Sequence, residues 1–104
     1  MAGKPRTPLN RIRWTELSLE DLQGLSAYIE AQRDLATANR VCRSIYDSVQ
    51  KLRRFPEAGK PGLEDGTREL VVAEFPAYIV VYRLLPQQAV EVLRIWHGAQ
   101  QRTD

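Results

Sequence analysis

The sequence predicts an α+β domain in which a helical hairpin packs on one face of a small, mostly antiparallel sheet, with the order β-α-α-β-β-β. Three observations predict it. Apolar residues recur at helical spacing through the first half of the chain, and the pattern changes to alternating and β-branched runs in the second half. The link between the two helical stretches is short, which forces them antiparallel. The three later β runs are joined by short turns, which makes them a meander.

The elements follow in order. Arg11-Ile12-Arg13-Trp14 alternates polar and apolar, as a short strand does. Ser18 then precedes a helical stripe of Leu19, Leu22, Leu25 and Ile29. Asp21, three residues after Ser18, makes a capping-box variant with Asp in place of the better Glu or Gln. Gly24 weakens this helix and is expected to permit close packing. A second helix starts near Asp34 and carries Ala38, Val41, Cys42, Ile45, Val49 and Leu52 at helical spacing. Arg40, Arg43, Asp47 and Lys51 lie largely off that stripe. Pro56 restricts Phe55, and Gly59 suits a turn, so the helix ends here. Residues 60–66 read as an exposed loop. Residues 68–73, 78–85 and 90–97 read as strands separated by turns.

The pairing of the last two strands can be specified further. A four-residue loop at 86–89 places Leu85 beside Val90. Ile79, Val81, Arg83, Val92, Arg94 and Trp96 then share one face, and Tyr78, Val80, Tyr82, Glu91, Leu93, Ile95 and His97 the other. A slip of one residue exchanges the two sets.

Composition bounds the function. A chain of 104 residues suits one domain, and 43% hydrophobic residues suffice for a single core. Aromatic residues make up only 8%, so aliphatic side chains must supply most of the burial. The expected organisation is a flexible basic tail at 1–9, one domain at 10–98 and a short tail at 99–104. A formal charge of +2 does not by itself imply nucleic-acid binding. Its distribution is uneven, however. Lys4, Arg6, Arg11 and Arg13 crowd the start, and Arg40, Arg43, Lys51, Arg53 and Arg54 form a later basic segment. Between them Glu16, Glu20, Asp21, Glu30 and Asp34 are acidic. These are solvated helix faces or a basic surface for an acidic partner or nucleic acid. Cys42 is the only cysteine, so no intramolecular disulfide forms, and a reducing cytoplasm fits. Its apolar neighbours point to a buried, inert thiol. No run is long enough to span a membrane. No metal or other cofactor is expected.

Local sequence is more specific than element order. Phe55-Pro56-Glu57-Ala58-Gly59, Gly66-Thr67-Arg68-Glu69-Leu70, Tyr78-Ile79-Val80-Val81-Tyr82-Arg83 and Val92-Leu93-Arg94-Ile95-Trp96-His97-Gly98 follow one another. Their order and spacing resemble the second half of the RelE/ParE toxin superfamily of bacterial type II toxin–antitoxin systems. Trp14, Asp21-Leu22 and Ala38-Asn39-Arg40-Val41 resemble that superfamily's first and second helical segments. The resemblance spans roughly residues 10–100. It implies a toxin held inactive by a cognate antitoxin, in a toxin–antitoxin hetero-oligomer. RelE-like members cleave mRNA in the ribosome; ParE-like members poison DNA gyrase.

Metal-free RNA cleavage needs a base for the ribose hydroxyl, cations for the phosphorane and an acid for the leaving oxygen. RelE-like enzymes place an arginine three residues before the strand tyrosine, where this chain has Ile79. The second strand also lacks a cation after Arg68, with Glu74 near where one is expected, and residues 98–104 contain no tyrosine. These absences favour the ParE branch. His97 matches a histidine that takes part in cleavage in some ribosome-dependent members, yet ParE-like sequences share the His-Gly ending. The candidates for catalysis are therefore His97, Arg68, Arg83 and Arg94. As structure, His97 caps the last strand, Arg68 pairs with the Glu64/Asp65 loop, and Arg83 and Arg94 meet antitoxin carboxylates. Trp14, Arg40, Arg43, Arg83, Arg94 and Trp96 are the expected partner-binding residues. DNA gyrase is the expected target, with the ribosome and its mRNA as the alternative.

Overall fold

The computed structural model describes residues 9–98. Along the chain lie β1 (Arg11–Trp14), α1 (Glu16–Gln32), α2 (Leu35–Lys51), β2 (Lys60–Pro61), β3 (Thr67–Val71), β4 (Tyr78–Leu85) and β5 (Ala89–His97). The strands form one sheet in the order β1-β5-β4-β3-β2. β1 runs parallel to β5, with Arg11 opposite Ala89 and Trp14 opposite Val92, and the other pairings are antiparallel. This is the expected α+β class and element order with one strand more. The addition is β2, in the stretch read as loop, where Lys60 pairs with Glu69 and Pro61 with Arg68. Proline has no N–H for a ladder, so this edge strand is short and carries no alternating pattern to read. The tail at 99–104, like Lys4 and Arg6, lies outside the described residues.

Both helix starts are built by side chains. The first differs from expectation: Thr15, not Ser18, is the N-cap. The Thr15 hydroxyl accepts the Ser18 N–H at 3.1 Å, and the Ser18 hydroxyl donates to the Thr15 carbonyl at 2.8 Å. Ser18 is completely buried, and Leu17 and Leu19 are exposed instead. The helix thus starts three residues before its apolar stripe, which is why the stripe mislocates the cap. Asp34 caps α2, accepting the Thr37 N–H at 2.7 Å. The hydrogen bonds from Thr37 hold the Asp34 carboxyl below its ordinary value.

The core lies between the hairpin and the sheet. Ile29, Ala38, Val41, Ile45 and Val49 from the helices meet Val72, Val80, Val92 and Ile95. Leu52, Tyr82 and Val90 form a second cluster. Cys42 is half-buried rather than sealed in.

The β4–β5 register differs from expectation in one half and agrees in the other. Leu85 pairs with Ala89, so the loop has three residues, with Gln87 at φ 65° and Gln88 at φ 59°. Val90 and Val92 therefore join Tyr82 on the helix side, while Glu91 joins Arg83 on the opposite side. A bulge then follows: Tyr82 pairs with Val92 but Val81 with Arg94, leaving Leu93 as the extra residue. The bulge restores the parity lost at the loop. Beyond it Ile95 and His97 lie with Val80 and Tyr78, and Arg94 and Trp96 with Val81 and Ile79, as expected.

Tyr82 ties the loop after α2 to the sheet. Its buried hydroxyl donates to the Pro56 carbonyl at 2.8 Å and accepts the Gly59 N–H at 2.9 Å. A Cβ on Gly59 would come within 2.8 Å of both the Glu69 carbonyl oxygen and that hydroxyl, so only glycine fits. Burial pushes the Tyr82 phenol above its ordinary value, against the opposing pull of the Gly59 N–H.

Tyr82→Phe leaves two backbone groups without their partner, and urea unfolding at pH 7 is expected to read a loss of about 1–3 kcal/mol. The folded phenol stays protonated where the unfolded one, near pH 10, ionises. Stability therefore falls as pH rises above about 10, and the variant shows a shallower alkaline decline. Replacing Gln87-Gln88 by Asn-Gly relieves two left-handed non-glycine residues and is expected to raise stability by about 1 kcal/mol.

Candidate functional site

The sheet has one face under the helices and one without a helix. Pleating directs Ile12, Trp14, Arg68, Leu70, Tyr78, Val80 and Tyr82 toward the hairpin. It directs Arg11, Arg13, Glu69, Val71, Ile79, Val81 and Arg83 to the open face, together with Glu91, Arg94 and Trp96 of β5. Ile79 and Trp96 are paired neighbours there. Ile79, where the resemblance to RelE-like enzymes leads one to expect an arginine, is an aliphatic side chain beside the Trp96 indole.

The structure disperses the four candidate catalytic residues. Arg68 stays on the helix side and donates to the Gly59 carbonyl at 2.6 Å and the Glu57 carbonyl at 3.3 Å. It closes the loop after α2 through these carbonyls, rather than through the Glu64/Asp65 acids expected from sequence. Arg83, on the open face, lies 2.8 Å from Glu91 through both Nε and Nη2. Glu91 also lies 3.6 Å from Arg13, so two arginines flank one buried carboxylate.

Arg94 makes a two-pronged contact with Asp21, Nε donating to Oδ2 at 2.8 Å and Nη2 to Oδ1 at 3.1 Å. These bonds push the guanidinium further above its ordinary value. The same guanidinium lies over the Trp96 ring, 4.5 Å from its centroid. Asp21 Oδ2 also accepts the Ile95 N–H at 2.9 Å. The carboxylates expected from an antitoxin at Arg83 and Arg94 are thus already supplied by this chain.

His97 ends β5 on the helix side, edge-on to Tyr78 with ring centroids 5.1 Å apart and planes at 88°. Arg94 lies on the other face of the same strand. Arg68 pairs with Tyr82 and His97 with Tyr78, four residues apart on β4, which is about 13 Å of strand. No three of the four candidates share one spot.

Of the remaining expected partner residues, Trp14 is half-buried against the core cluster and Trp96 is half-buried beneath Arg94. Arg40 is exposed with its guanidinium 5.7 Å from the centre of the Phe75 ring, and Arg43 is exposed on α2. Sequence reasoning missed Asp21 and Glu91 as anchors. Glu91 was legible in principle, because a three-residue loop places it opposite Arg83. Asp21 was not, because its contact with Arg94 spans 73 residues and depends on where α1 crosses the sheet.

Beside Asp21 a groove of about 620 Å³ runs between α1 and the end of the sheet. Glu20, Asp21, Gly24, Leu25 and Tyr28 form its helical wall, and Tyr78, Ile95 and His97 the other. Burial pushes the Tyr78 phenol up, helped by the fields of Cys42 and Tyr28. Gly24 does not serve the close packing expected of it: a Cβ there would meet nothing within 4 Å. Glycine inside a helix costs about 1 kcal/mol against alanine. No internal contact offsets that cost. Among the described residues no cluster of three or more His, Cys, Asp or Glu could hold a metal ion, and no helix is long and apolar enough to cross a membrane.

Residues 12–102 match the family model described as the ParE toxin of type II toxin–antitoxin systems, parDE. The Sinorhizobium fredii (strain NBRC 101917 / NGR234) protein named "Putative toxin Y4kP" is 43% identical over 91 residues, covering 88% of this chain and 91% of the relative. Among solved structures, the chromosomal ParDE toxin–antitoxin system of P. aeruginosa superposes with a TM-score of 0.77 at 20% identity, covering 86% of this chain and 96% of that one. The RelBE2 toxin–antitoxin complex of Mycobacterium tuberculosis superposes with a TM-score of 0.62 at 23% identity, covering 88% and 99%. At these identities the two structures speak to the fold.

The Glu91 anchor is testable through salt. Glu91→Gln keeps a hydrogen-bond acceptor for Arg83 but removes the charge between two partly exposed arginines. Its expected cost is about 1 kcal/mol at low ionic strength, discounted for solvent screening. The difference from the native chain should shrink in 1 M NaCl, where the native ion pairs are screened too.

Proposed function

Because the chain belongs to the ParE toxin family of type II toxin–antitoxin systems, we propose that it acts by binding and poisoning DNA gyrase, and that a cognate antitoxin holds it inactive. One observation carries the choice of branch. The arginines that could stabilise a phosphorane are committed to Gly59, Glu91 and Asp21 within the chain, and they occupy both faces of the sheet. Breaking a phosphodiester requires cations that converge and are free to follow developing charge. Inhibition by contact requires neither.

The exposed side chains suit such contact. Leu17, Leu19, Tyr28, Leu35 and Tyr46 are large, apolar and exposed on the two helices. Apolar groups displayed in this number favour a protein partner. The helical hairpin and the end of β5 are the proposed working surfaces toward gyrase. The antitoxin is proposed to cover apolar surface with an amphipathic segment and to set carboxylates near the exposed Arg11, Arg13, Arg40 and Arg43.

The alternative is a ribosome-dependent endonuclease, and it rests on His97. This residue lines the groove beside Tyr78 and Asp21, so an imidazole, a phenol and a carboxylate border one cavity. The two readings separate cleanly in the test tube and the cell. Purified toxin added to gyrase and supercoiled plasmid is expected to accumulate cleaved, enzyme-trapped DNA. Normal supercoiling at excess toxin would contradict the gyrase reading. His97→Ala is expected to leave growth inhibition intact; its loss, together with cuts at ribosomal A sites on expression of the native chain, would favour the nuclease.

A further inference from the structure

From the groove beside Gly24 we infer a socket for one cationic side chain, arginine first, carried between apolar residues on the antitoxin. The assignment of the source rests on the antitoxin reading above; the chemistry of the socket does not. Two independent observations lead to it. The first is space. Gly24 sits on the face of α1 that borders a groove of about 620 Å³, and apart from its chain neighbours and the adjacent backbone of α1 nothing in the described chain comes within 4 Å of where its Cβ would be. The helix bears the cost of a mid-helical glycine without any packing in return. An incoming group can thus lie directly on the α1 backbone.

The second is the chemistry of the walls. Tyr28 and Tyr78 supply aromatic surface, and Tyr28 is two-thirds exposed with a relative accessibility of 66%. Leu25 and Ile95 supply an aliphatic floor. Glu20 stands exposed at the rim and makes no ion pair among the described residues, while the neighbouring Asp21 is engaged by Arg94. The groove therefore offers net negative charge and π faces around an apolar floor. A long stem with a delocalised cation at its tip satisfies all three at once. A carboxylate or phosphate would meet the carboxylate of Glu20 as a like charge, and a purely aliphatic segment would leave that carboxylate desolvated. Guanidinium is preferred to ammonium because it is planar, stacks on tyrosine and is more weakly hydrated. The antitoxin is chosen as the source because the family model that matches residues 12–102 is that of a toxin of toxin–antitoxin systems. The consequence is an antitoxin of mixed charge, with acids for the basic surfaces and one base for this groove.

The test uses the full chain, its cognate antitoxin, and two capped tripeptides, acetyl-Leu-Arg-Leu-amide and its citrulline analogue. Citrulline keeps the shape of arginine and lacks the charge. The arginine peptide is expected to shift the NMR signals of Gly24, Tyr28 and His97, and to bind about tenfold more tightly than the citrulline peptide, the scale of a partly desolvated cation–π contact. Glu20→Gln should narrow that difference. Gly24→Leu, which fills the groove, should abolish peptide binding and weaken the antitoxin about tenfold or more, while Gly24→Ala, which adds only a methyl where the incoming group rests, should raise the melting temperature and weaken both by a smaller factor. Thermal melts of each variant show that it folds. Equal binding of the two peptides, or binding of neither, overturns the socket. Full antitoxin affinity for Gly24→Leu, with the arginine peptide still bound by the native chain, overturns the antitoxin as its source. Failure of the antitoxin to bind any form refutes the reading beneath it, and the peptide pair then still decides the socket.

Discussion

The constraint on which the rest of the structure depends is the unfinished edge of β5. That strand has nine residues and its parallel neighbour β1 only four, so strand pairing on that side stops at Val92. Backbone groups beyond it still need partners. The start of α1 supplies them. The Thr15 hydroxyl reaches the Val92 carbonyl at 2.9 Å while capping the helix, and Asp21 accepts the Ile95 N–H at 2.9 Å about one and two-thirds turns further on. A helix thus completes what a strand begins. The bulge at Leu93 falls at this handover and turns Arg94 to the open face, where Asp21 meets it from the helix side of the edge.

The chemistry follows from that arrangement. Once Asp21 serves both the Ile95 amide and the Arg94 guanidinium, Arg94 is a structural cation. Arg83 is one as well, held by Glu91 with Arg13 on its other side. Arg68 belongs to the other face and seals the loop that Tyr82 anchors. What remains on the open face is largely aliphatic and aromatic at Val71, Ile79, Val81 and Trp96. Arg83 and Arg94 each have a carboxylate of their own and Arg68 has two backbone carbonyls, which is the observation that supports the gyrase reading. The same α1 segment that completes the edge also borders the groove at Gly24, so the lock and the socket share one helix face.

Much of this was legible in the sequence, for reasons that differ by element. The stripe of Ala38, Val41, Ile45, Val49 and Leu52 on α2 is a helical period over a long element, and all five are buried. The β4 and β5 runs are rich in β-branched residues and bounded by turn residues, which is the local signature of a strand. Three things were not legible. The N-cap of α1 precedes its apolar stripe, because the first turn exposes Leu17 and Leu19. β2 is two residues long and contains proline, so it leaves no period. The half-strand around Glu91 and Val92 was placed on the wrong faces because Gln87 and Gln88 adopt left-handed conformations that nothing in their chemistry favours. As for the site, sequence alone identified the arginines but not their partners. Ion pairs between distant segments carry no local signal, and those partners decide whether a cation is available for chemistry.

Asp21 and Arg94 act as one unit in this structure, and a double-mutant cycle on stability measures that directly. With Asp21→Asn, Arg94→Gln and the double variant unfolded in urea, the coupling energy is expected to be about 1–2 kcal/mol, as for a two-pronged, half-buried charge pair. A coupling indistinguishable from zero would mean that Arg94 is not held by Asp21. Arg94 would then be available for other contacts, and the support that this ion pair lends to the gyrase reading would be lost.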